Sequence, residues 1–181
     1  MAEKAEKPAP DDRPRPDHVD RIVAQWARET PDIDVESLLI FGRMRRIARR
    51  LGREIDALLA RHGLDAGQYY VLTALRRAGP PFTLRPTEIY QTLMISSGGL
   101  TNRLDRLEKA GLVRRLRAPE DARERLVALT PAGRRKVEAA FRENMGVERR
   151  YIASLAPGER ARLARLLKRL AAAFDGDPPA S

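Results

Sequence analysis

Asn102 and Arg106 stand four residues apart in a stretch whose apolar residues repeat with helical spacing. Asparagine meets the edge of adenine, and arginine that of guanine, through two hydrogen bonds each. Thr101 lies beside them, with Ser96, Ser97 and Gly98 just before. Their hydroxyls can bond phosphate oxygens, and a glycine lets backbone approach a polyanion closely. The same hydroxyls make poor nucleophiles, because no histidine accompanies them and no Ser-His pair can form. The chain has no cysteine, which removes disulfides, thiolate nucleophiles and thiol-based redox sensing. His18 and His62 are its two histidines, far apart and without clustered carboxylates, and no Gly-rich phosphate loop precedes a Lys and Ser or Thr. No catalytic residue, metal or cofactor is therefore expected.

The helix carrying these side chains must bury one face and offer the other. At about 100° per residue, Leu104 and Leu107 fall within about 40° of Leu100, a buried stripe. The opposite face carries Gly98, Thr101, Asn102, Asp105, Arg106 and Lys109. Arg103 falls about 60° from Leu100 and flanks the buried side. It is open to two readings, a sensor of a bound molecule or a structural ion pair.

This helix spans about Gly98 to Ala110, capped by Ser96 or Ser97 and ended at Gly111, and a short one from about Arg85 to Leu93 precedes it. Two short helices joined tightly through Met94 and Ile95 read as a helix-turn-helix. After Gly111 the apolar period changes to two. Leu112–Arg117 and Arg125–Leu129, separated by Ala118-Pro119-Glu120-Asp121-Ala122, make a β-hairpin, a wing with Arg123 and Arg125 at or near its tip. An arginine there can enter a narrow minor groove, and Asp121 can brace it.

The remaining elements are helical. Val19, Ile22, Val23 and Trp26 mark a short helix that Asp17 caps and Pro31 ends. Ile40, Met44, Ile47, Leu51, Ile55 and Leu58 make a longer one, whose Arg43, Arg46, Arg50 and Arg53 form either a solvated face or a phosphate-contacting one. Gly63 breaks it, and Ala66–Arg77 resumes. Thr130-Pro131 starts a helix running to about Ser154, with Thr as N-cap and proline where its missing N–H is not needed. Pro157 opens the last, with Leu163, Leu166, Leu167, Leu170 and Phe174 in one stripe that suits either a dimer contact or a monomer core.

The chain has 181 residues and a formal charge of +10. The length suits one domain, and the charge attracts polyanions, with duplex DNA ahead of an anionic membrane surface. No run of about 18 apolar residues and no charged-then-apolar opening segment is present, so a cytoplasmic location is expected. Residues 1–16 and 175–181 have the composition of disordered tails, leaving a single domain over 17–174.

The stretch Ser96-Ser97-Gly98-Gly99-Leu100-Thr101-Asn102-Arg103-Leu104-Asp105-Arg106-Leu107-Glu108, the wing Asp121-Ala122-Arg123-Glu124-Arg125, and Leu129-Thr130-Pro131-Ala132-Gly133 together resemble the multiple antibiotic resistance regulator (MarR) family. The resemblance covers about residues 35–174. It implies a mainly α fold with a small β-hairpin, with the winged helix-turn-helix over about 64–130. The dimerisation helices, about 17–62 and 131–174, would intertwine between the subunits of a homodimer. It also implies a regulator that represses a neighbouring gene and releases double-stranded DNA when a small, often phenolic or anionic, ligand binds.

The added N-terminal helix and the run Trp26-Ala27-Arg28-Glu29-Thr30-Pro31-Asp32 resemble the urate-responsive branch of that family. There a Trp, an Asp and two Arg line the ligand pocket. The matching positions are Trp26, Tyr70, Arg103 and Arg115, so a phenol replaces the carboxylate that would meet a purine. Two arginines with two aromatic rings suit a planar aromatic or phenolic acid as effector, though Trp26 serves equally as a packing residue. The rival reading is an architectural protein with similar affinity for any duplex, where a regulator discriminates about 10³-fold or more.

Overall fold

The computed structural model describes residues 15–93, 97–117 and 125–175. Met94, Ile95, Ser96, the wing tip with Arg123, and both tails lie outside these. The side chains of Ser97, Gly98 and Asp175 are likewise not described. Two compact units divide at Leu51 and Gly52.

In the first unit α1 (His18–Glu29) begins at a capping box: Asp17 accepts from the Val19 and Asp20 amides, and Asp20 accepts from that of Asp17. Reciprocal bonds of this kind satisfy amides that an open helix start leaves without partners. Arg43, on α2 (Ser37–Arg61), reaches both carboxylates, 3.1 Å from Asp17 and 2.6 Å from Asp20. A Cβ on Gly42 would stand 3.1 Å from Val19 Cγ1, so the glycine allows α1 and α2 to pack closely. Ile40, Met44 and Ile47 are exposed on the other side of α2.

In the second unit α2 ends where Gly63 turns to φ 66° and Lys136 Nζ caps the His62 carbonyl at 2.9 Å. Then follow α3 (Ala66–Arg77), β1 (Thr83–Leu84), α4 (Pro86–Leu93), α5 (Ser97–Lys109), β2 (Val113–Arg117), β3 (Arg125–Leu129), α6 (Pro131–Ile152) and α7 (Pro157–Asp175). The spans of α3 and α5 match the expected ones closely. A third strand joins the expected hairpin: β1 pairs with β3 through Thr83↔Ala128 and Leu84↔Val127, giving the antiparallel order β1-β3-β2. Two residues are too short for a period-two signal.

Leu58, Leu59, Leu72, Leu75, Ile89, Leu107, Val127 and Val137 are fully buried, so α2 to α6 and the central strand share one core. Burying each such side chain contributes about 1.5–3 kcal/mol. Thr130 caps α6 by accepting from the Gly133 amide, as its Thr-Pro sequence requires, and donates its hydroxyl to the Gly111 carbonyl at 2.8 Å. A Cβ on Gly133 would lie 2.0 Å from the Leu112 carbonyl oxygen, so α6 starts directly against the root of the wing. Phe82, at φ 59°, has the guanidiniums of Arg76 and Arg134 each 5.2 Å from its ring centroid, and Glu138 bonds both arginines. Leu163, Leu166, Leu167 and Phe174 of the α7 stripe stay exposed, Phe174 by 72%, and Leu170 is half-buried. A monomer core does not account for it. Among the described residues no helix is long and apolar enough to cross a membrane.

Candidate DNA interface and effector cavity

Leu100, Leu104 and Leu107 anchor α5, each at most 4% exposed. That burial turns Thr101, Asn102, Arg106 and Lys109 outward to solvent. Ser97 and Gly98 lie in its first turn, while Ser96 and Arg123 fall outside the described residues.

The wing continues this surface. In β2 and β3 the pairs Val113↔Leu129, Arg115↔Val127 and Arg117↔Arg125 share one face, because strand residues two apart point the same way. Arg117 and Arg125 therefore sit directly opposite each other and exposed. Like charges in that relation repel, and an anion between them relieves the repulsion. The sequence singled out Arg125 but missed Arg117. Its signal is the pairing register, which the intervening loop does not reveal.

Arg115 joins wing to helix. Its guanidinium lies 2.5 Å from Asp105 and 2.8 Å from Glu108, and its amide donates to Glu108 at 3.0 Å. The hydrogen bond that Arg115 donates to Asp105, with the nearby Glu108 charge, holds it more firmly protonated than a free arginine. The sequence reading takes Arg115 as a pocket residue; in the fold its guanidinium is held by the two carboxylates of α5.

Arg103 itself lines a cavity of about 490 Å³ with Tyr70, Thr73 and Arg77 of α3 and Thr92 and Leu93 of α4. That volume falls in the range of small-molecule sites. Gly67, also on the wall, was not foreseen: a Cβ there would stand 2.2 Å from Arg103 Nε, so any larger residue would displace the guanidinium from this position. A glycine inside a helix costs about 1 kcal/mol relative to alanine, and here it admits a cation to the cavity. Arg103 has no ion-pair partner among the described residues. Of the four expected ligand residues, Tyr70 and Arg103 meet in this cavity, Arg115 is engaged by Asp105 and Glu108, and Trp26 lies half exposed in the first unit.

A sequence model of the MarR family matches residues 62–124. The chain is 36% identical over 152 residues to the HTH-type transcriptional regulator PecS of Dickeya dadantii (strain 3937), an alignment covering 84% of this chain and 92% of that protein. The chain belongs to the MarR family. Two MarR-family crystal structures with DNA are similar in fold. Sco3205 of Streptomyces coelicolor, in complex with DNA, has a TM-score of 0.70 and 25% identity over 80% of this chain and 91% of that one. A mutant MarR from E. coli complexed with operator DNA has 0.64 and 30%, over 76% and 99%. This MarR-family chain is a DNA-binding transcriptional regulator, in a family of regulators and not of enzymes.

Proposed function

We propose that the protein is a homodimeric repressor that binds a pseudo-palindromic operator and releases it when a small aromatic or phenolic acid enters the cavity beside Arg103. The observation that carries this reading is the position of Arg103. It belongs to the helix whose outer face bears Asn102 and Arg106, yet its side chain lines a cavity with Tyr70. A carboxylate gripped there by the guanidinium pulls on the DNA-reading helix itself. The half-sites lie about one helical turn apart, and ligand favours a dimer whose two α5 helices no longer match that spacing. The homodimer accounts for the exposed apolar stripes: Ile40, Met44 and Ile47 on α2, and Leu163, Leu166, Leu167 and Phe174 on α7. Side chains of this kind belong in an interface.

The test has two parts. Selection from random duplexes yields the preferred operator, and fluorescence anisotropy then compares it with unrelated DNA at matched salt. Discrimination of about 10³-fold or more is expected, and equal affinities would mean an architectural protein. A thermal-shift screen of aromatic acids follows, with wild type and Arg103→Gln. An acid that stabilises wild type but not the variant must weaken DNA binding by the same factor by which DNA weakens its own. Simultaneous binding of both with unchanged affinities would refute the switch.

A further inference from the structure

The interface on α5 and the wing leaves the arginine stripe of α2 unexplained. Six of the eleven residues from Arg43 to Arg53 are arginine, and α2 carries no Asp or Glu between its start at Ser37 and Glu54. In the first unit Arg43 is taken up by Asp17 and Asp20, which bond its guanidinium. Arg45, Arg46, Arg49 and Arg50 stay exposed. Of these, Arg45, Arg46 and Arg50 have no ion-pair partner among the described residues. Like charges so close on a helix, such as Arg46 and Arg50 at i and i+4, repel each other until an anion lies across them.

Their placement on the helix indicates which anion fits. At about 100° per residue, Arg50, Arg46, Arg49 and Arg45 follow one another over about 140° of the wheel. Ile40, Met44 and Ile47 fall within about 60° on the far side, and the centres of the two arcs lie about 160° apart. The apolar arc belongs to the dimer contact proposed above. With that arc covered, α2 has no apolar face left to sink into a bilayer, and the arginine arc binds by charge alone. From Arg45 to Arg50 the helix advances about 7.5 Å. A duplex carries about four phosphate charges on the same length of its axis, so four arginines match its charge density. A guanidinium also takes a phosphate through two bonds at once.

We propose that the Arg45–Arg50 face of α2 is a second DNA-binding surface, indifferent to sequence, which holds a duplex segment other than the operator. Its contacts are to phosphates, which carry no base information. One protein then tethers two segments of DNA. The second segment is always in excess, because a genome offers about 10⁶–10⁹ competing sites. This surface goes beyond operator recognition and works with or without an effector.

Capture of a second duplex on a filled operator is the test. An immobilised duplex bearing the selected operator is saturated with full-length protein and washed, and a fluorescent duplex of unrelated sequence is added over a range of salt. Wild type is expected to retain this second duplex saturably at low salt and to release it as salt rises. The triple variant Arg45→Gln, Arg46→Gln, Arg50→Gln, changed only at exposed positions, is expected to melt as wild type does and to fill the operator within about twofold. Its capture of the second duplex falls at least about tenfold and its salt slope by about 3, since each lost phosphate contact removes about 0.9. The matching triple change to lysine keeps the charge and is expected to keep capture, which separates charge from any effect on folding. The proposal is overturned if the wild-type complex retains no second duplex at low salt, or if the glutamine variant retains as much as wild type. A parallel arm replaces the second duplex with phosphatidylserine vesicles. Retention of the vesicles without retention of the duplex also overturns the proposal and makes the face a membrane contact.

Discussion

Arg115 of β2 lies 2.5 Å from Asp105 and 2.8 Å from Glu108, so one wing side chain spans a turn of α5. The two parts of the interface are thereby held in one orientation. Exposed ion pairs are worth only about 0.2–1 kcal/mol, so Arg115→Ala is expected to lower the melting temperature by no more than a few degrees. Operator affinity falls further, about tenfold, because wing and helix must then be ordered on binding. Calorimetry beside anisotropy measures the two losses, and equal free-energy changes would mean that Arg115 serves stability alone.

Gly67→Ala separates the effector response from folding. The new methyl lies 2.2 Å from the Arg103 side chain, whose far end can swing away, and alanine favours the helix by about 1 kcal/mol. The variant is expected to be as stable as wild type or more so and to bind operator within about twofold, yet no longer to release it with the acid found in the thermal-shift screen. Release at wild-type concentrations of that acid would show that the Arg103 position does not matter.

The exposed residues of α5 and the wing are expected to fail differently. Asn102→Ala and Arg106→Ala each cost about 1–3 kcal/mol on the preferred operator and little on unrelated duplexes, as loss of base-edge bonds requires. Arg117→Ala weakens binding to all duplexes alike and lowers the salt slope by about 1, as loss of a phosphate contact requires. Salt titrations on two DNA sequences distinguish the patterns.

The first unit has its own acid sensitivity. Amide hydrogen bonding from Asp20, aided by Arg43, lowers the Asp17 carboxyl from 3.8 to about 2. A carboxylate whose folded value is depressed stabilises fully above its unfolded value and loses that contribution as pH falls through the folded one. The start of α1 should therefore hold down to about pH 4 and loosen towards pH 2. Trp26, the one tryptophan of the chain, reports this by fluorescence. Asp17→Ala should remove the transition.

Much of this arrangement was legible in the residues. The period of Leu100, Leu104 and Leu107 fixed which face of α5 turns outward, and Thr130-Pro131 fixed where α6 starts, because both signals are local. The same wheel put Arg103 on the buried flank, where its cavity lies. What escaped notice depends on distant pairing. β1 exists only because β3 supplies its partner, Arg117 faces Arg125 only through the register of the wing, and Gly67 matters only because Arg103 arrives from another helix.

The anchoring of α6 to the wing root has a geometric consequence. Thr130 and Gly133 fasten the first turn of this helix to Gly111 and Leu112, just past the end of α5 in the chain. A helix of 22 residues is about 33 Å long, so a small tilt about its anchored end becomes a large displacement at the other. A tilt of about 6° about one end displaces the other by about 3.4 Å, the rise of one base pair. On the proposed dimer, an angular change smaller than many side-chain rotations is enough to put two half-sites out of step.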